Sequence, residues 1–220
     1  MQLLKPCLIA LACNLCWLTT VHAQTCTGGL PFRGAPIQVG ADGVFSSNTH
    51  SLVPEVSAGN GQYFGRVGAN FTSFSGLDNG AKGVFGVAGL ELVVEAAKPI
   101  AVCPLVSLAK AWGPSPAPDI DYSSFVVQLG GRVGFIAAKT GQATIVPTAG
   151  FSFNHLNSTS TSTGLFPGSF SEGTSFGNVQ LGVGLIFKDR YVLIPSIVIP
   201  FHYDQAETAF SIYFATKLGS

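Results

Sequence analysis

The chain has 220 residues, of which 47% are apolar and only 10% are charged, and its formal net charge is zero. Soluble domains carry about 25% charged residues, so this composition would make a poor surface in water. A neutral chain also gives no electrostatic basis for binding nucleic acid. We therefore expect a single domain whose surface faces lipid, and no nucleic-acid partner.

The first 23 residues have the pattern of a cleaved signal peptide. Lys5 supplies a short basic region, residues 6–18 are apolar, and Val21 and Ala23 are the small residues that precede a cleavage site. We predict cleavage before Gln24 and export of the mature chain. The apolar run is too short to anchor the chain in a membrane, because a spanning helix needs about 20 residues.

Cysteine usage supports export. Three of the five cysteines lie in the predicted signal peptide, and Cys26 and Cys103 remain in the mature chain. Two cysteines in an oxidising compartment indicate one disulfide, with two unpaired thiols as the alternative. A lipoprotein signal that uses Cys13 or Cys16 is a further alternative, although the residues before both cysteines depart from the required pattern.

Ten segments after the signal peptide alternate apolar with polar residues and are separated by turn residues, which is typical of β-strands. A membrane-embedded chain without apolar helices has to form a closed barrel, because lipid offers no partner to an unpaired amide. We predict a single antiparallel up-and-down barrel of about ten strands, with eight as the alternative. The predicted strands are residues 36–46, 51–58, 62–75, 83–96, 101–112, 123–138, 142–156, 174–188, 190–203 and 208–218.

Short and long connections alternate along these segments, as in outer-membrane barrels with short periplasmic turns and longer outer loops. The Ser/Thr-rich segment 157–173 is predicted to be the longest and most mobile outer loop. Residues 24–35 then form a periplasmic tail, and residues 36–220 form the barrel. Cys26 and Cys103 fall on the same side of this topology, so a bridge between them is geometrically feasible.

Side chains of a strand point alternately to its two faces. In the predicted strands one face is apolar and suits lipid, whereas the other is polar or glycine-lined and suits a barrel interior. Charged residues on the interior faces predict a lumen filled by salt bridges and hydrogen bonds. These residues are Asp42, Glu55, Arg66, Glu91, Glu95, Arg132 and Lys217.

Aromatic residues recur near the predicted strand ends, where a transmembrane barrel places its aromatic girdles. Such residues sit at the boundary between hydrocarbon and headgroups. The predicted girdle consists of Tyr63, Trp112, Phe176, Tyr191 and Phe201.

Several stretches together resemble a family of small, largely uncharacterised bacterial outer-membrane β-barrel proteins. They are "CTGGLP" after the signal, "VCPLVSL", "VVQLGGRVGF", "IVPTAGFSF" and a closing "FSIYFATKL". The resemblance implies a location in the bacterial outer membrane, contact with its lipid, and insertion by the barrel assembly machinery. Such proteins usually end on an aromatic residue, whereas this sequence ends on Gly219 and Ser220, which predicts less efficient assembly or a native end elsewhere.

We expect a structural or surface-interaction role without cofactor or metal, and the sequence does not identify a surface partner. One alternative is a narrow conduit for small solutes. Another is a hydrolase at the rim of the barrel, for which His155, His202 and Asp204 are the candidate residues. The chain has no GxSxG, P-loop or HExxH motif to support an enzyme. A soluble lipocalin-like barrel, with the apolar face turned inward, is the competing fold.

Overall fold

The structure is a computed structural model. It describes residues 25–30, 37–60, 62–77, 79–94, 100–114, 119–164, 167–202 and 207–218. The predicted signal peptide and Glu95 lie outside these residues.

The described residues form twelve β-strand segments and one short 3-10 helix, Thr25–Thr27. The segments are β1 Ile37–Phe45, β2 Thr49–Gly59, β3 Tyr63–Phe74, β4 Ala81–Leu90, β5 Leu92–Val94, β6 Ile100–Trp112, β7 Ile120–Phe135, β8 Ala138–Thr140, β9 Ala143–Ser162, β10 Gly168–Phe187, β11 Tyr191–Phe201 and β12 Ala209–Leu218. β5 continues β4 along β6, and β8 continues β7 along β9. The twelve segments therefore occupy ten strand positions.

The ten positions close into an antiparallel barrel. Neighbours in sequence pair with each other, and the first and last strands, β1 and β12, pair from Ile37↔Leu218 to Phe45↔Phe210. Closure gives each of the ten strand positions a paired neighbour on both sides. The predicted class of fold and the predicted strand count of ten are confirmed, and the alternative of eight strands is wrong.

Pro104 explains why β4 and β5 are two separate segments of one strand position. The register Gly89↔Leu105 before the break and Leu92↔Val102 after it places Pro104 opposite the end of β4. Proline has no amide hydrogen to donate to a ladder. The amide of Glu91 points to the other side of the strand and donates to the carbonyl of Gln62 at 2.7 Å, so only the ladder with β6 is interrupted between β4 and β5.

Burial alternates along the strands as the sequence predicts. On β6, Cys103 is fully buried, whereas Val106 and Leu108 are 40% and 50% exposed. Polar residues of other strands, among them Glu55 on β2 and Asn154 on β9, are buried in the interior. We call the exposed outward row the apolar belt; it includes Leu52, Val56, Val67, Phe71, Val84, Val106, Leu108, Leu129, Phe151, Phe153, Leu181, Phe210, Ile212 and Phe214. The inverted arrangement of a lipocalin-like barrel is therefore wrong.

The two ends of the barrel differ. The end at Ile37 and Leu218, which also carries the turn at residues 188–190, is called the terminal end. The opposite end is called the loop end. There β7 pairs along β9 as far as Ile120↔Ser162, and β9 and β10 extend together beyond β11. Their ladder continues to Ser162↔Gly168, whereas β11 pairs with β10 only as far as Gly177.

This long ladder corrects the prediction of a mobile loop at 157–173. Most of that segment forms a hairpin with continuous register from Asn157↔Gly173 to Ser162↔Gly168. Hydroxyl pairs reinforce it, with Thr159 Oγ1 and Ser171 Oγ 3.0 Å apart. Low complexity and polarity favoured a loop, but threonine also has a high preference for β-structure, and cross-strand hydroxyl pairs stabilise a polar sheet.

The register of this hairpin predicts which cysteines can be crosslinked. Ser160 lies directly opposite Phe170, so Ser160→Cys with Phe170→Cys is expected to form a disulfide in mild oxidant. Ser160→Cys with Glu172→Cys is the matched control, because a pair offset by two residues lies about 7–8 Å apart. Gel mobility after alkylation measures both, and equal crosslinking of the two pairs would contradict the ladder.

Candidate functional site: a plugged barrel interior

The N-terminal segment of the described chain fills the terminal end of the barrel. Residues 25–30, called the plug, are held by a disulfide between Cys26 and Cys103, whose Cα atoms are 5.9 Å apart. The amide of Thr25 also donates to Oε1 of Glu91 at 3.0 Å. The predicted disulfide is therefore present, and it ties the plug to the wall at β6.

Glycines of the wall give the plug its space. A Cβ on Gly184 would collide with the backbone of Gly28, and a Cβ on Gly134 would collide with the carbonyl oxygen of Thr25. Gly28 itself has φ +73°, a backbone conformation that side chains other than glycine rarely adopt. The plug therefore packs backbone against backbone in a barrel too narrow to admit side chains there.

The plug ends on an apolar anchor. Leu30 is fully buried in a cluster with Val146, Ile186, Val192 and Ala215, which lie on the four consecutive strands β9 to β12. Burial of such a side chain contributes about 1.5–3 kcal/mol. Nε2 of a further wall residue, Gln38, donates to the carbonyl of Leu30 at 2.9 Å, so the last described backbone carbonyl of the plug is also paired.

A charged layer lies between the plug and the loop end. Glu55 is buried, and its carboxylate accepts hydrogen bonds from Nη1 of Arg66 at 3.4 Å and from the hydroxyl of Tyr213 at 2.8 Å. This arginine and glutamate form the only ion pair among the residues that the structure describes. Tyr213 thus joins β12 to β2 over Gly40 of the intervening strand β1, where a Cβ would lie 2.7 Å from its hydroxyl.

A second set of hydrogen bonds crosses the same layer. Nη2 of Arg132 donates to Oε1 of Gln180 at 2.6 Å, and Nε2 of Gln180 donates to Ser196 Oγ at 2.9 Å. The hydroxyls of Ser196 and Ser211 are 2.7 Å apart. This chain runs from β7 to β12 and fixes the position of the Arg132 guanidinium.

Two buried polar atoms of the layer have no hydrogen-bond partner in the described residues, Oδ1 of Asp42 and Nε of Arg66. Both residues line a cavity of about 370 Å³ that starts at the plug. Its wall includes Thr27 and Gly29 of the plug at one end and Ala111 near the loop end. The lumen is therefore not fully packed among the described residues.

The seven predicted lumen charges separate into different roles. Asp42, Glu55, Arg66 and Arg132 form the charged layer. Glu91 is buried but binds the plug. Lys217 is half-buried at the terminal end, apart from the layer, and Glu95 lies outside the described residues.

Sequence reasoning did not find the plug or the role of Tyr213. The alternation placed Tyr213 on an interior face, so its contact with Glu55 had a signal in the sequence. No local pattern shows that residues 25–30 fold back into the barrel.

Four of the five predicted girdle residues lie on the outer surface at the barrel ends. Tyr63 and Tyr191 are the first residues of their strands at the terminal end, and Trp112 and Phe201 are the last of theirs at the loop end. Phe176 is the exception and corrects the prediction. The register places it opposite the buried Asn154, on the interior row.

The two histidines predicted at the rim have different surroundings. Nδ1 of His155 lies 2.9 Å from the hydroxyl of Ser175 on the outer surface, whereas His202 is exposed and packs edge-on against Phe201. Neither imidazole pairs with a carboxylate in the described residues. Asp204 lies outside those residues, and within them no group of three or more His, Cys, Asp or Glu could hold a metal ion.

Taken together, these features define a small closed β-barrel with an apolar outer surface and an internal plug. None of the sequence models of known protein families matches the chain, and a search of curated proteins also finds no match. No helix within the described ranges is long and apolar enough to cross a membrane.

Solved structures with a similar chain course include Ail, the attachment invasion locus protein of Yersinia pestis. That structure has a TM-score of 0.42 and 13% identity, and the match covers 83% of this chain and 98% of Ail. The KdgM porin, also solved in complex with disordered oligogalacturonate, has a TM-score of 0.38 and 11% identity, with 82% of this chain and 99% of KdgM covered. At this level of similarity, the function has to be inferred from this chain's own geometry.

Backbone contact between plug and wall predicts the effect of one glycine substitution. Gly134→Val should displace the plug, because the new side chain collides with Thr25 and lies against Cys26. We expect a large fraction of Cys26 and Cys103 to remain as free thiols, counted by alkylation and mass spectrometry. Gly131→Val, on the same strand, is the matched control, since its Cβ would have only one neighbour, at 3.7 Å. Complete oxidation in both variants would contradict the docked plug.

Proposed function

We propose that this protein is an integral barrel of the bacterial outer membrane, closed by its own N-terminal segment, with a structural or surface-interaction role at the loop end. The observation that carries the proposal is the plug, which occupies the interior at the terminal end. A barrel closed in this way serves as a scaffold for its exposed end better than as a pore.

The apolar belt supports a membrane location. Its side chains are exposed on the outer surface of every part of the barrel, and exposed apolar area on this scale is unfavourable in water. A closed ring of strands with apolar residues outside and polar residues inside is the arrangement that lipid requires of a β-protein. Export by the signal peptide and insertion by the barrel assembly machinery belong to the same proposal.

The orientation follows from the topology. Outer-membrane barrels keep their short turns in the periplasm and their longer connections outside. The terminal end, with the plug and the bridge between Cys26 and Cys103, would then face the oxidising periplasm, where disulfides persist. The hairpin of β9 and β10 would project from the cell surface.

The projecting hairpin supports an interaction role. Residues 168–176 of β10 have a ladder with β9 on one side, and no strand of the described residues pairs with their other side. An open strand edge can add a strand from a partner. Phe170, 68% exposed on this strand, adds an apolar contact.

A charge in the apolar belt tests the membrane location. Val67→Arg is expected to lower the free energy of unfolding by about 2–4 kcal/mol in phospholipid vesicles, because arginine is costly at the centre of a bilayer. Urea unfolding followed by tryptophan fluorescence measures the change. Ser169→Arg on the projecting hairpin is the control and should have little effect. Equal effects of the two substitutions would contradict burial of Val67 in lipid.

Conductance in planar bilayers separates the proposed role from the alternative of a solute conduit. The oxidised parent protein should show no discrete current steps, since the plug closes the lumen. Gly134→Val should show steps, whereas Gly131→Val should behave as the parent. A parent protein that conducts as readily as Gly134→Val would support the conduit and overturn the proposed role.

A further inference from the structure

We propose that the cavity above the plug is a binding site for a small zwitterion, a molecule that carries one ammonium and one carboxylate group. The unpartnered atoms of Asp42 and Arg66, together with the guanidinium of Arg132, would hold it. This inference concerns the lumen and does not depend on the proposed role of the hairpin.

The groups that line the cavity are not mutually satisfied. Glu55 already has two partners, Arg66 and Tyr213. Asp42 and Arg132 each lack an ion-pair partner, since Arg66 with Glu55 is the only such pair in the described ranges. The wall therefore presents one carboxylate and one guanidinium whose charges are not neutralised by direct contact.

The unpartnered atoms are complementary in kind. Oδ1 of Asp42 is an acceptor, and Nε of Arg66 is a donor, and both are buried without a partner. A buried polar atom without a partner costs about 1–3 kcal/mol, so a ligand that pairs both atoms recovers this cost.

Net charge selects the class of ligand. Asp42 and Glu55 balance Arg66 and Arg132, so a ligand with a single charge would leave an excess charge inside the barrel. A zwitterion keeps the balance and offers an ammonium to Asp42 and a carboxylate to the arginines. Hydrogen bonds between charged groups are about twice as strong as those between neutral ones, which favours a zwitterion over a neutral polar molecule.

The shape of the cavity limits the size of the ligand and its route. A volume of about 370 Å³ lies at the small end of the range for ligand pockets, about 300–1,000 Å³. The plug closes one end, through Thr27 and Gly29, and the lining continues past Asn70 to Ala111 near the loop end. A ligand would therefore enter from the loop end and be retained, not passed through the barrel.

Calorimetric titration of the purified, oxidised full chain in detergent micelles tests the site. Glycylglycine at neutral pH is the zwitterionic probe, and acetate, ethylammonium and glycerol are the comparisons. We expect saturable binding of glycylglycine and binding about tenfold weaker or less for the three comparisons. No saturable heat with glycylglycine would show a cavity that holds water only and would overturn the inference. Equal binding of glycerol would also overturn it.

Three variants locate the binding. Asp42→Asn and Arg132→Gln should each weaken glycylglycine binding by about tenfold or more, because each removes one charge-assisted contact. Ala109→Phe fills the cavity without changing a charge and should abolish binding. It tests the site independently if the two charge variants fold poorly. Lys217→Gln, at the terminal end, is the control and should bind as the parent does. Unchanged binding in Ala109→Phe would place the ligand elsewhere and overturn the site.

Discussion

Closure of the backbone ladder is the constraint on which the rest of this structure depends. The pairing of β1 with β12 fixes every strand between two neighbours, and the register then decides which side chains point inward. A shift of one residue would turn the apolar belt inside and the charged layer outside. The interior contacts, from Glu55 with Tyr213 to Arg132 with Gln180, exist because ten ladders hold this one register.

The small width of the closed barrel also limits how its interior can be filled. At the terminal end a backbone segment packs directly on glycines, and the bridge between Cys26 and Cys103 holds it there. Towards the loop end, side chains of the charged layer bind partners on nearby strands but do not satisfy every polar atom. The plug and the cavity are therefore two results of the same geometry.

The sequence predicted what alternation controls. The strand count, the inward position of Asp42 and the outward position of Phe151 all follow from a period of two. Alternation does not predict contacts between residues far apart in the sequence, and no local pattern shows that Gly134 and Gly184 contact the plug. The hairpin beyond Asn157 was mistaken for a loop because its composition is polar. Its ladder is held by the register of the two strands and does not require a buried apolar face. Phe176 was assigned to the surface from its position near a strand end, whereas its parity places it inside.

Oxygen accessibility of spin labels along β6 tests the central claim most directly. Single labels at residues 104–109 of the oxidised protein, in phospholipid vesicles, would report which side chains face hydrocarbon. We expect high accessibility at Pro104, Val106 and Leu108 and low accessibility at the residues between them, because alternate side chains face lipid and lumen. Uniform accessibility, or the opposite alternation, would contradict a lipid-facing barrel with a polar interior.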